Sequence, residues 1–282
     1  MSLANALEMV VRTDPGKVRP HNEDAVFADP ASGLVILADG MGGYNAGEVA
    51  SGMAATTLAQ NLVPILNSPP LQSAAPVDAA FIEQCLFDEI SAVNMQILTA
   101  SESEAQYAGM GTTLVAACFY DNRMCVAHLG DSRLYRLRAG HFEQLTRDHS
   151  LLQEQLDGGM ITPEEARHAQ NKNLLTRALG VEPAVEVEIH DYGMAPGDVV
   201  LLCSDGLNDM IDDDDMAQTL HDAGGNLAQA ADELVRMAND NGGRDNISVI
   251  LVRVCGDYSA HQGWWQKLLA RFKRHEVATW QK

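Results

Sequence analysis

Along residues 1–256, apolar and polar positions group into many short runs of strand length and fewer runs of helical period. Strands are expected at roughly 8–13, 25–28, 33–38, 111–120, 123–130, 132–138, 185–190, 198–204 and 246–254. Several follow one another through short turns. Asp121-Asn122, between Phe119-Tyr120 and Arg123-Met124, is a two-residue hairpin signal that lacks the usual glycine. Helical patterns fall at about 46–63, 78–100, 163–169, 172–179, 214–222 and 226–240. Asn45 with Glu48 resembles a capping box at the start of the first. Segments 67–77, with Pro69, Pro70 and Pro76, and 101–109 read as surface loops. Consecutive hairpins imply antiparallel sheet, and helices in blocks between strand blocks favour a layered α+β fold over a parallel doubly wound sheet.

Four apolar runs are flanked by an aspartate in a Gly- or Asn-containing turn. Leu34 to Ala38 leads into Asp39-Gly40-Met41-Gly42-Gly43, Met124 to Leu129 into Gly130-Asp131-Ser132-Arg133, and Val199 to Cys203 into Ser204-Asp205-Gly206. Gly243-Arg244-Asp245-Asn246 precedes the strand Ile247 to Val254. Strand ends gathered by a sheet could converge these acids. Converging acids repel and lose their charge unless a hard cation neutralises them, so the pattern reads as an oxygen-ligand metal site.

Composition narrows the partners. The 282 residues carry a net charge of −20, which repels a phosphate backbone and disfavours nucleic acid. No segment approaches 18 consecutive apolar residues, and Met1 to Val11 lacks the pattern of an export signal, so a soluble cytoplasmic protein is expected. Cys85, Cys118, Cys125, Cys203 and Cys255 show no C-x-x-C spacing, and three lie in apolar runs, which argues for reduced thiols rather than disulfides or zinc. The charge is uneven: 257–282 carries +3 and the rest −23. A catalytic domain over 1–255 is therefore expected, followed by a linker and basic tail over 256–282. In that tail Trp264, Trp265, Leu268, Leu269 and Phe272 share a helical face beside Lys267, Arg271, Lys273 and Arg274. Such a segment over 264–275 suits docking on the acidic body, an anionic membrane surface or a partner's groove.

The order of motifs is more specific than any one of them. Arg19-Pro-His-Asn-Glu23-Asp24, Asp39-Gly40-Met41-Gly42-Gly43, Gly111-Thr112-Thr113, Gly130-Asp131-Ser132-Arg133, Ser204-Asp205-Gly206 and Arg244-Asp245-Asn246-Ile247-Ser248 together resemble the protein phosphatase 2C family of bacterial type, the metal-dependent Ser/Thr phosphatases. The resemblance runs from about Met9 to Val254. It implies two antiparallel β-sheets packed as a sandwich with helices on both outer faces, and a cleft holding two Mn2+ or Mg2+ ions. Asp39 would bridge both ions, the Gly40 carbonyl would bind one, and Asp205 and Asp245 would bind the other. Glu23 and Asp24 would act through water, Asp131 would help hold a third, weaker ion, and Arg19 would grip the substrate phosphate. A hydroxide bridging the two ions would attack phosphoserine or phosphothreonine on a protein, and a cognate Ser/Thr kinase would be the partner.

The chemistry needs these residue types on independent grounds. Phosphomonoester hydrolysis is among the slowest uncatalysed reactions, and two ions about 3.5 to 4 Å apart can acidify water and shield developing charge. Carboxylates and a carbonyl select Mg2+ or Mn2+ over zinc or copper. Glycine at 40 and 42 lets the backbone turn tightly and approach an ion. Arginine offers a fixed fork for phosphate oxygens. No cysteine is followed six residues on by arginine, no D-x-D-x-[TV] supplies an aspartyl nucleophile, and no G-x-x-x-x-G-K-[ST] cradles a nucleotide. The alternative is a regulatory module on the same fold that binds a phosphoprotein or kinase without turnover, against which the intact acids argue.

Three further features bear on mechanism. Some family members have His after the Asp-Gly pair as leaving-group acid; Met41 stands there, leaving either a metal-bound water or one of His21 and His149 for that task. Asp212 to Asp215 resembles an acid cluster but opens a helical pattern, where acids suit the N-terminal dipole. Residues 148–175 resemble the family's flap, with Gly158-Gly159 as hinge and Thr162-Pro163-Glu164-Glu165 opening a capped helix.

Overall fold

The computed structural model describes residues 2–43, 46–68, 78–162, 165–166 and 174–259. Eleven strands are present among them: β1 (Leu7–Asp14), β2 (Asp24–Asp29), β3 (Leu34–Met41), β4 (Gly111–Thr112), β5 (Leu114–Tyr120), β6 (Arg123–Leu129), β7 (Arg133–Arg138), β8 (His141–Gln144), β9 (Glu188–Gly193), β10 (Val199–Cys203) and β11 (Ile247–Val254). They form two antiparallel sheets, ordered β1-β11-β10-β7-β8 and β2-β3-β5-β6-β9, with β4 pairing β3 at its end. The helices are α1 (Leu3–Ala6), α2 (Ala46–Leu66), α3 (Ala79–Ser103), α4 (Leu151–Asp157), α5 (Asp205–Asn208), α6 (Asp213–Asp222) and α7 (Leu227–Asp240).

Alternation within each strand builds the layers. In β3, Leu34, Ile36 and Ala38 pack on α2 and α3, while Val35 and Leu37 face the other sheet. In β11, Ile250 and Val252 face that same inter-sheet core, while Val249 and Leu251 meet Leu220, Ala231 and Leu234 of α6 and α7. Central strands are thus buried on both faces, which is why they read as unbroken apolar runs. The result is four layers, α-β-β-α, as the family resemblance implies. Helix α2 is long and apolar enough by composition to cross a membrane. Its Ala50, Ala54, Leu58 and Leu62 are instead buried against β3 and α3.

Turn chemistry holds where the sequence indicates it. Asp121 and Asn122 take φ of +42° and +56°, closing the β5–β6 hairpin without glycine. Asp78 caps α3 through Ala80 N–H, and Asp212 caps α6 through Asp215 N–H at 2.9 Å, so the Asp212 to Asp215 run is a helix start. Thr162 and Glu165 exchange the reciprocal bonds of a capping box, and residues 165–166 are helical. Asn45, the 69–77 loop, Pro163 and Glu164, the remainder of the expected 163–169 helix, and the tail face at 264–275 lie outside the described residues.

Three expectations are corrected; the first is the loop expected over 101–109, where Ser101 to Ser103 close α3 and Ala105–Tyr107 form a 3-10 helix. The helix expected over 172–179 is absent over 174–179: Leu175 bridges Ser150, and Leu179 exchanges both backbone hydrogen bonds with Thr112. Leucines spaced like a helical face here pair with two separate segments, Leu175 with the N-cap of α4 and Leu179 with β4. The strand expected at 185–190 runs instead from Glu188 to Gly193, because pairing with β6, Glu188 opposite His128 and Gly193 opposite Arg123, sets its register. Helix α4 and strand β8 are additions. At the last of the described residues Cys255 N–H bonds Ala6 O, and Tyr258, buried, sends its hydroxyl to Arg123 O, so the packed body continues past residue 255.

Candidate active site

The acids expected to converge do so at one end of the sandwich, each delivered by a strand end. Asp24 opens β2 directly opposite Asp39 on β3. Asp131 lies between β6 and β7, Asp205 follows β10, and Asp245 precedes β11. Burial, then the charges of Asp24, Asp205, Asp131 and Asp245, drive the Asp39 carboxyl well above its usual range. Asp205 is raised likewise, by burial and then by Asp131, Asp245 and Asp209. Burial lifts Asp131 to about 7, with Asp148 adding to it, and lifts Asp24 to about 6. Five carboxyl groups crowding one another repel and lose their charge unless a cation neutralises them.

The fit to a hard divalent cation can be tested on one atom. Asp24 Oδ2 accepts from Ser204 Oγ at 2.9 Å, but its buried Oδ1 has no hydrogen-bond partner. A buried carboxylate oxygen left open among other acids suits an ion or the water around it. The donor set is entirely oxygen, as Mn2+ and Mg2+ require.

Uncharged residues hold the acids in place, and these had no role assigned from sequence. Thr112 Oγ1 donates to Asp39 O at 2.8 Å, while Thr113 Oγ1 accepts from Asp39 N–H at 3.0 Å and pairs with Ser132 Oγ at 2.8 Å. Asn246 uses its whole amide: Nδ2 donates to Pro15 O and His21 O, and Oδ1 accepts from Glu23 N–H at 2.8 Å. That side chain therefore carries the loop bearing Arg19 and Glu23. The charge of Asp209, whose N–H bonds Asp205 O, bears on both Asp131 and Asp205. The signal for these residues was polar side chains inside or beside apolar strands, whose buried groups need partners.

Arg19 sits at the rim, where its Nη2 donates to Asp245 Oδ2 at 2.7 Å. One of five guanidinium donors is thus engaged by a candidate metal ligand, and its side chain is 50% exposed. Glu23 is half-buried and raised by burial. His149 is not poised as an acid, because each ring nitrogen is engaged, with Gly130 and with Glu188. His21 is exposed, and its charge bears on Glu23.

Gly40 is required for a reason other than approach to an ion. A Cβ there would lie 2.1 Å from Gly47 O and 2.6 Å from Glu23 O, because the first turn of α2 packs directly on it. Gly40→Ala is expected to cost about 3 kcal/mol, the upper end for an overpacked position, and to lower the melting temperature measurably. An unshifted melting curve would show that α2 yields freely here.

Paired sheets ending on a knot of carboxylates are the architecture of a metal-dependent phosphatase. The chain belongs to the protein phosphatase 2C family, whose model matches residues 18–251. It is 44% identical over 244 residues to the serine/threonine phosphatase Stp of Listeria welshimeri, covering 86% of this chain and 93% of that one. It is 39% identical over 267 residues to PstP of Mycobacterium tuberculosis, covering 94% of this chain and 48% of PstP. The PstP catalytic domain solved with two manganese ions superposes with a TM-score of 0.77 at 37% identity, covering 89% of this chain and 99% of that one. Stp1 of Staphylococcus aureus gives 0.79 at 32% identity, covering 91% and 98%.

Proposed function

We propose that this protein hydrolyses phosphoserine and phosphothreonine monoesters on proteins, with Asp39, the Gly40 carbonyl, Asp205 and Asp245 as ligands for two divalent cations, Mn2+ or Mg2+. The observation that carries this reading is the convergence of Asp24, Asp131, Asp205 and Asp245 on Asp39, with Asp24, paired opposite it, keeping a buried and unpartnered Oδ1. Bound there, the ions supply a nucleophilic water at neutral pH and shield charge that builds on the phosphoryl oxygens. The remaining work falls to side chains. Asp24 and Glu23 orient water beside the ligands, and Asp131 is the acid for a weaker third ion. Arg19, rim-placed and half exposed, binds the phosphate and aligns it for attack from the acid cluster.

The test is hydrolysis of p-nitrophenyl phosphate and of a phosphothreonine peptide with Mn2+. Turnover lost on EDTA treatment and restored by Mn2+ supports the reading; turnover that survives EDTA removes it. Arg19→Ala is expected to raise KM for the phosphopeptide ten- to a hundredfold, since a charge-assisted contact contributes about 1.5 to 3 kcal/mol. Mn2+ affinity, measured by titration calorimetry on the same variant, should change little. A collapse of Mn2+ binding instead would assign Arg19 to holding Asp245.

A further inference from the structure

His149 joins the acid cluster to the edge of its sheet. Its backbone N–H donates to Gly130 O at 2.9 Å, and Gly130 N–H donates back to His149 Nδ1 at 3.2 Å. The second bond fixes the tautomer. With Nδ1 bare, the ring proton of neutral His149 is on Nε2, where Glu188 Oε2 lies at 3.1 Å to accept it. Burial lowers the His149 pKa and so favours the neutral ring. Burial works to raise Glu188, but hydrogen bonds from His190 and His149 outweigh it and bring it down to about 2, so the acceptor is an ionised carboxylate. His128 stacks on the same ring, centroids 4.8 Å apart and planes within 13°.

One ligand atom from each of His128, His149 and Glu188 lies within 4.8 Å of the others, a spacing that invites a metal ion. The hydrogen bonds argue against one. An ion on His149 Nε2 would move the ring proton to Nδ1, setting donor against the Gly130 N–H donor, and an ion on Nδ1 would have to displace that N–H.

What the ring does hold is the turn carrying Asp131. Gly130 sits at φ +93°, and a Cβ there would come within 2.7 Å of the Thr113 side chain, so the turn is already tight on that flank. Thr113 secures that flank through Ser132, and His149 secures the turn at the backbone N–H of Gly130. We propose that His149, its Nδ1 kept bare by Glu188, is the positioning residue for the Gly130-Asp131-Ser132 turn and sets how strongly Asp131 holds a cation. This rests on the reading of Asp131 as a third-ion ligand. The same residue's carbonyl accepts from Thr176 N–H at 2.9 Å, so the turn is tied to the segment that returns toward Thr112.

The experiment uses full-length protein and Mn2+ as probe. Two-bond 1H–15N spectra of the histidine rings should show His149 with the proton on Nε2; a proton on Nδ1 would overturn the proposal without any substitution. Mn2+ binding followed by EPR should show the weakest site loosened roughly 10- to 100-fold in His149→Ala, the range for losing an outer partner of a metal ligand, with the tighter sites unchanged. His149→Asn, whose Oδ1 can accept from Gly130 N–H in place of Nδ1, should recover most of that affinity. Asp131→Asn is the reference and should abolish the weak site. If it does and His149→Ala binds as wild type, His149 is not the positioning residue. If Asp131→Asn leaves every Mn2+ site intact, the third-ion reading itself falls and takes this inference with it.

Discussion

Asp39→Asn is expected to remove turnover almost completely, while Asp131→Asn retains a measurable rate at saturating Mn2+. Asp39 is the acid on which the others converge: Asp24, Asp205, Asp131 and Asp245 all bear on its charge. Its backbone is also pinned on both sides by Thr112 and Thr113. An asparagine keeps the shape and those backbone bonds but would offer no charge to either of the two cations that Asp39 would serve. The loss should exceed the roughly 10- to 100-fold typical of losing a mere outer partner of a ligand. Initial rates on p-nitrophenyl phosphate across a Mn2+ titration measure it, and equal residual rates for the two variants would contradict the ordering. The metal-free Asp39→Asn protein should melt no lower than wild type, because burial and the neighbouring acids already oppose the charged form of the carboxyl it replaces. A variant that is inactive because it is unfolded would fail that check.

Arg133→Met is expected to be the most damaging change to stability among the charged residues of this end of the molecule. Its guanidinium donates from Nε and Nη2 to Asp148, at 2.9 Å and 2.7 Å, and from Nη1 to the Tyr135 hydroxyl. The Asp148 side chain is only 10% exposed, and without Arg133 it keeps the Gln144 amide as its hydrogen-bond donor. Removing one member of a buried, hydrogen-bonded pair costs about 3 to 5 kcal/mol, because the other charge is left in a poor solvent. For a chain of this size that is a fall in melting temperature on the order of 10 °C. The companion change Asp148→Asn should be milder, since an amide can still accept from Arg133. Because Asp148 also raises Asp131, the pair links stability to the acid cluster. A melting point within a degree or two of wild type would show that solvent reaches this pair.

Much of the architecture was written in local pattern. The central strands read as apolar runs because each packs on both faces, and the aspartate turns at their ends marked where the sheets stop. Asp78, Asp212 and the Asp121-Asn122 turn obeyed rules that need only a few neighbouring residues. The helix expected over 172–179 failed because leucine spacing cannot distinguish a helical face from two residues that each pair with a different segment of backbone, here Ser150 and Thr112. The β9 register failed similarly, since its place depends on β6, more than fifty residues earlier. Gly40 was recognised as necessary, but the atom that makes it so belongs to Gly47 on the helix packed above.

The sequence by itself determined the identities of the acids and their placement at strand ends, and hence the expectation of an oxygen-donor cation site on a phosphatase scaffold. Those are short-range facts: an apolar run, a turn, a carboxylate. Only the tertiary structure decided what holds them. Asn246 reaching across to Pro15, His21 and Glu23, Thr113 receiving Asp39 N–H, and His149 receiving Gly130 N–H are all contacts between residues distant in sequence. An amide, a hydroxyl or an imidazole carries no mark of its eventual partner. Its role appears only when burial removes water and leaves each polar group to find a partner within the protein.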